Sequence, residues 1–271
     1  MTDAQVIRKE DRGIIGTYLS QRIAAPVSLE VWTRKESGLI LTDRDPCTFC
    51  EPVVQAVRTI ASLHPLITVT LYDLDKHADR AAEAGIERPP TTVVRGQHGR
   101  SFRTVGLWAG LLFTPFLDAL GYFSASFTPL KEEQAQRLST LETDVDIELL
   151  AAPYDPYSAH MLRLMAAAAV VTSKIHFQCV DISEFPILAA SRVVTELPVV
   201  TINRRRFVGV WDEDDFVEQL MRVVEGNAEP VIRPQVLVNP FLTYEQAQEL
   251  AVQQAAQAPP TTPSGLIIPG R

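Results

Sequence analysis

The chain repeats itself. Displaced by 108 residues, Ile67-Thr68-Val69-Thr70-Leu71-Tyr72-Asp73-Leu74 falls on Ile175-His176-Phe177-Gln178-Cys179-Val180-Asp181-Ile182, and Pro90 falls on Pro198. Both octets end in an apolar residue, Asp and an apolar residue, and both read as strands. Upstream, Leu29-Glu30-Val31 falls on Ile147-Glu148-Leu149 at a displacement of 118, so the first copy holds ten more residues between Thr33 and Cys47. Downstream, Gly106, Trp108 and Phe113 fall on Gly209, Trp211 and Phe216 at a displacement of 103. Ordered agreement along four segments marks a duplication with a period longer than that of solenoid repeats. Whatever the first copy folds into, the second must also be able to form.

The predicted element order is the same in both copies. A helix leads (4–21; 130–141), then a strand (27–33; 146–151), a helix (50–63; 158–173) and the strand of the matching octets. A short helix follows (77–84; 185–191), then a proline-marked turn and two antiparallel strands (91–95 and 100–105; 199–203 and 206–209). A last helix closes each copy (112–120; 213–224). The order βαβ then ββα predicts an α/β fold, a mixed central sheet with helices on both faces. The expected organisation is 1–125 for the first unit, 126–226 for the second and 227–271 for a tail.

Three cysteines in 271 residues do not make a disulfide framework, but Cys47-Thr48-Phe49-Cys50 places two thiols three positions apart. That spacing reads as a redox centre or as half a metal site. Zinc or an iron–sulfur cluster needs further thiolate or imidazole ligands. No second pair exists, and His64, His77, His98, His160 and His176 form no ligand spacing, so neither a metal nor another cofactor is expected. Disulfide exchange requires a thiolate, and a helix N-terminus favours one. The repeat locates it: Cys47 falls on Asp155, followed by Pro156, and Asp-Pro is a helix-start signal. Cys47 is therefore expected at an N-cap, as the attacking nucleophile, with Cys50 one turn on as the less exposed resolving thiol. Thr48 and Phe49 between them carry no charge. A cis bond between Pro89 and Pro90 would expose the backbone before it to an extended substrate.

These residues resemble the protein disulfide oxidoreductases built from two thioredoxin-fold units, the glutaredoxin-like proteins. A related architecture forms the N-terminal region of the flavoprotein component of alkyl hydroperoxide reductase. The resemblance covers about residues 4–225. It rests on the cysteine pair, on Ile86-Glu87-Arg88-Pro89-Pro90-Thr91-Thr92 and on Gly106-Leu107-Trp108-Ala109-Gly110. It implies two tandem thioredoxin-like folds, with Pro90 as a cis-proline facing Cys47 and Pro198 as its counterpart. Thr48, Phe49, Pro89 and Pro90 are then the substrate-binding residues. Many relatives carry Cys-Pro-Tyr-Cys in the second unit, where this chain has Asp155-Pro156-Tyr157-Ser158. Carboxylate and hydroxyl form no disulfide, so that unit is expected to be redox-silent.

The function expected is a thiol–disulfide oxidoreductase with one centre, acting on protein or small-molecule disulfides. Its redox partner would be a flavin-dependent disulfide reductase or a peroxidase. The alternative is a non-enzymatic redox switch or partner-binding module. The net charge of −8 argues against nucleic acid and anionic membranes. The first residues, Met1-Thr2-Asp3-Ala4-Gln5, carry acid where a signal peptide needs base, so the expected location is cytoplasmic. Cys179 is expected in the core, Glu30 in a structural role, and Trp108 and Trp211 as packing residues. In the proline-rich tail, Thr243 and Gln246 form a capping box for a helix reaching Gln257. The apolar Leu266-Ile267-Ile268 beyond it could dock on this or another subunit.

Overall fold

The computed structural model describes residues 6–34, 47–227 and 229–257. Expectations for the inserted Glu36–Leu41 stretch and for Leu266-Ile267-Ile268 lie outside the described residues. The first unit opens with a 3-10 turn at Lys9–Asp11 and α1 (Arg12–Ser20), later than expected. It continues with β1 (Val27–Thr33), α2 (Cys50–Leu63), β2 (Ile67–Asp73), α3 (Ala78–Glu83), β3 (Thr91–Arg95), β4 (Ser101–Val105) and α4 (Phe113–Ala125). The second has α5 (Glu132–Ser139), β5 (Val145–Ala151), α6 (Pro156–Ala169), β6 (Ile175–Asp181), α7 (Pro186–Ser191), the two-residue β7 (Glu196–Leu197), β8 (Val199–Ile202), β9 (Arg205–Val208) and α8 (Glu213–Val224). The tail adds β10 (Asn239–Pro240) and α9 (Tyr244–Gln257).

Helix α4 runs five residues past its expected end. Gly121 follows the expected end, and a Cβ there would stand 2.9 Å from the Cβ of Arg22. It is a close-packing position within the helix. Beyond it, Phe123 is fully buried and Ser124 Oγ accepts the N–H groups of Ala24 and Ala25. The helix stops at Ser126, whose φ of 51° is left-handed.

The two units share one eight-stranded sheet, ordered β2-β1-β3-β4-β6-β5-β8-β9. Within each unit the first strand lies between a parallel and an antiparallel partner. The units join where β4 pairs in parallel with β6, Phe102 opposite Phe177 and Thr104 opposite Cys179. The join puts the same repeat position in two environments. Strand β2 is an outer edge, and Leu71 is 37% exposed; β6 is central, and Cys179 is 3% exposed.

One hydrophobic core runs under the whole sheet. It takes Leu29 and Val31 from β1, Val57 and Ile60 from α2, Phe116 from α4, Ile147 from β5, Leu162 from α6 and Phe216 from α8. On the opposite face, α3 covers Trp32 and Val93, and α7 covers Val180 and Val199. Phe102 bridges the units, with ring centroids 4.8 Å from Phe123 and 6.2 Å from Phe177. Burying one such ring contributes about 2–3 kcal/mol by area, so the seam is a packed interior. An ionic cluster spans it too: Asp118 of α4 accepts from Arg163 of α6 at 2.7 Å, and also meets Arg22 and the Tyr18 hydroxyl. No helix among the described residues is long and apolar enough to cross a membrane.

Candidate functional site

Cys47 and Cys50 are joined by a disulfide, with their Cα atoms 5.4 Å apart. Cys47 is partly exposed, Thr48 exposed, Phe49 partly exposed, and Cys50 7% exposed. The pair stands just past the C-terminal end of β1, and the Arg34 N–H donates to Cys50 Sγ at 3.2 Å. The second unit repeats that bond, with the Ala152 N–H donating to Ser158 Oγ at 3.3 Å. Ala152 and Ser158 are the repeat partners of Arg34 and Cys50, so sulfur and hydroxyl occupy the same place.

The expected N-cap is corrected in the first unit. Helix α2 begins at Cys50 with Phe49 as its cap residue, and Cys47 lies two residues earlier. The Cys47 carbonyl accepts the Cys50 N–H in a turn leading into the helix. In the second unit Asp155 does cap α6, accepting from Tyr157 N at 3.2 Å and Ser158 N at 2.8 Å, with Pro156 in the first turn. A carboxylate satisfies the free N–H groups of a first turn and proline presets its φ, whereas a sulfur is a weak acceptor. The duplicated helices therefore start at different points.

Both prolines sit where the repeat places them. The Pro89–Pro90 and Leu197–Pro198 peptide bonds are cis. Each unit then closes the same contact: Gly106 N–H donates to the Pro90 carbonyl and Gly209 N–H to that of Pro198, both at 2.9 Å. Pro90 precedes β3, whose Thr91 lies opposite Trp32 at the same end of β1 as the cysteines. An open groove flanks the pair on its other side. Thr33, Arg34, Arg58, Tyr72, Asp73, Lys76 and His77 line it with Cys47 and Cys50. Among the described residues no group of three His, Cys, Asp or Glu side chains could hold a metal ion.

Several other residues have structural explanations. Glu30 is held by Arg95 through two bonds of 2.8 and 3.1 Å. Cys179 lies in the core, where burial pushes its thiol well up. Trp108 stacks on Phe116 at 3.9 Å, and Trp211 packs against Phe207 and Phe216.

Sequence reading missed an acid pair at the inter-unit seam. Burial pushes the Asp181 carboxyl up to about 7, against hydrogen bonds from Ser183 that hold it down. Glu184 is raised well above the carboxylate range, by burial first and the Asp181 charge second. Glu184 Oε1 accepts the Leu107 N–H at 2.6 Å, tying the units together. The signal was half present, since Asp181 matches Asp73 in the repeat, but only the fused sheet buries one of them.

The matching site of the second unit is filled. Asn239 Nδ2 donates to Asp155 Oδ1 at 2.6 Å, and Ser158 Oγ donates to Oδ2 at 2.5 Å. Asp155, with none of its surface exposed, thus has partners on both oxygens. This contact from the tail, 84 residues along the chain, has no signature in the sequence.

No protein-family model matches the chain, and no curated protein matches it in sequence. Solved structures do. The chain is similar to a protein disulfide oxidoreductase from Aeropyrum pernix, with a TM-score of 0.70 at 23% identity, over 83% of this chain and 96% of that one. It is also similar to the alkylhydroperoxide reductase protein AhpF from Enterococcus faecalis, with a TM-score of 0.67 at 17% identity, over 80% of this chain and 100% of that one. These likenesses establish the fold as two thioredoxin-like units in tandem.

Proposed function

We propose that the chain is a thiol–disulfide oxidoreductase with one redox centre, Cys47–Cys50. The observation that carries this reading is the pair's placement. Two cysteines able to form a disulfide stand at the start of a helix, one partly exposed and one buried, on an open groove and at the same end of β1 as a cis-proline. The fold shared with a protein named as a disulfide oxidoreductase supports it.

In the reduced protein the Cys47 thiolate attacks a substrate disulfide. One substrate sulfur leaves as thiolate and takes a proton, and Cys47 holds the other in a mixed disulfide. The Cys50 thiol loses its proton and its thiolate attacks Cys47 Sγ, releasing the second substrate thiol. Two electrons have then passed to the substrate and the protein holds the Cys47–Cys50 disulfide. The Arg34 N–H stabilises negative charge on Cys50 Sγ in that step. Thr48, Phe49, Pro89 and Pro90 contact the substrate, whose extended backbone pairs with that preceding Pro90. The disulfide is reset by a second dithiol or a flavin-dependent disulfide reductase, and a peroxidase is the partner class that the second structural likeness favours.

The test is covalent trapping. Cys50→Ser should accumulate mixed disulfides through Cys47 when mixed with oxidised insulin, and Cys47→Ser should accumulate none. Equal behaviour of the two variants would sink the assignment of roles. A wild-type protein that turns over no disulfide would sink the activity.

A further inference from the structure

The tail crosses the silent unit where an extended substrate would lie in a working one. Arg233 donates to the Val208 and Val210 carbonyls at 2.8 Å, and the Val210 N–H donates to Leu237 O at 3.0 Å. Next, β10 pairs antiparallel with β7, Asn239 opposite Leu197 and Pro240 opposite Glu196. Leu197 and Glu196 immediately precede the cis-proline Pro198. The Phe241 N–H donates to Thr195 O at 2.9 Å, and the Tyr154 hydroxyl exchanges bonds with both Leu242 N and O. Asn239 reaches Asp155, which stands where Cys47 stands in the first unit. The segment thus has the attributes of a bound peptide: antiparallel backbone pairing beside a cis-proline, and one side chain aimed at the residue replacing the nucleophile.

From this anchor the chain turns into α9, capped by Thr243 and Gln246. The first residue of α9, Tyr244, sets its ring edge-on against Phe49, with centroids 5.1 Å apart. Phe49 lies between the two redox cysteines. A segment held by one unit's dead site therefore ends on the other unit's live one.

We propose that the silent site is a peptide-binding site whose ligand is residues 237–242 of this chain, and that its role is to hold Tyr244 as a wall of the Cys47–Cys50 site. This inference rests on the redox reading of that pair. The wall narrows the approach to Cys47, favouring small or extended disulfides over those in bulky folded proteins. Asn239→Asp would set a second carboxylate against Asp155 and release the anchor. Tyr154→Phe keeps the ring and removes both bonds to Leu242, providing a milder release should the first variant fold poorly.

Two readouts separate docking from chemistry. Hydrogen exchange should show the Phe241 and Leu242 amides protected in the wild type and exchanging at least about tenfold faster in both variants, as loss of one or two part-buried hydrogen bonds implies. The prereduced proteins are then oxidised by insulin and by cystamine. The ratio of insulin to cystamine rates should rise about threefold or more in Asn239→Asp, Tyr154→Phe and Tyr244→Ala, as removal of a steric wall requires. Unprotected amides in the wild type would overturn the docking, and unchanged ratios would overturn the wall. A wild type with protected amides that reduces neither disulfide would refute the redox reading and the wall while leaving the anchor standing.

Discussion

Matching residues of the two units have been put to different uses. Ser158 occupies the place of Cys50 and takes the same backbone donor, but its hydroxyl donates to Asp155 and ends there. Asp155 could be read as a helix cap from the sequence because a cap is a local arrangement, an acceptor two and three residues from its donors. Its bond to Asn239 was not, because side chains distant in sequence leave no spacing to recognise. Asp181 is the residue whose consequence is thermodynamic. A carboxyl raised on folding contributes stability in its protonated form, fully present below the unfolded value of 3.8 and lost as pH rises through about 7. Asp181→Asn, neutral at every pH, should therefore gain on the wild type as pH rises. The expected relative gain is about 2–3 kcal/mol between about pH 5 and pH 8, read from urea unfolding midpoints.

At the scale of elements, strand positions were the most legible, because a period of two and short apolar runs leave little freedom. Strands β1 and β3 and helices α2 and α8 match their expected bounds. Helix ends were less so. Helix α4 outran its expected end because packing against Arg22 decided the matter, and α6 starts at Pro156, two residues before its expected start, because Asp155 caps it there. The tail helix was legible from its capping box, but β10 was not, since two residues in an extended segment form a strand only when an edge is offered. Gly209 shows how closely that segment lies. It has φ +93°, and a Cβ there would meet Val236 at 2.6 Å and the Leu237 carbonyl at 3.0 Å. Gly209→Ala should therefore loosen the tail by about 1–3 kcal/mol through strain and contact. Faster exchange of the Val210 amide and earlier proteolytic cleavage after residue 227, with β1–β4 protection unchanged, would show it.

At the scale of the molecule, the shared sheet and common core make the units mechanically one. The β4–β6 seam, the Phe102 cluster and the Asp118 cluster all cross between them. Urea unfolding should then follow one transition for both units, with circular dichroism and tryptophan fluorescence coinciding. Asp118→Ala should lower that transition as a whole by about 2 kcal/mol, an amount below the buried-pair range because Arg22 and Arg163 are partly solvated. Two separate transitions would show that the seam is weaker than its packing implies. The sequence by itself determined the duplication, the order of elements, the cysteine pair and its cysteine-free copy, because each is written in local periodicity or spacing. Only the tertiary structure decided that the two sheets are one, that Asp181 is buried where Asp73 is not, and that the tail runs from Asp155 to Phe49 between the two cysteines. Those outcomes depend on which edges and surfaces meet across long stretches of chain, and burial there is shared between segments that carry no mark of each other.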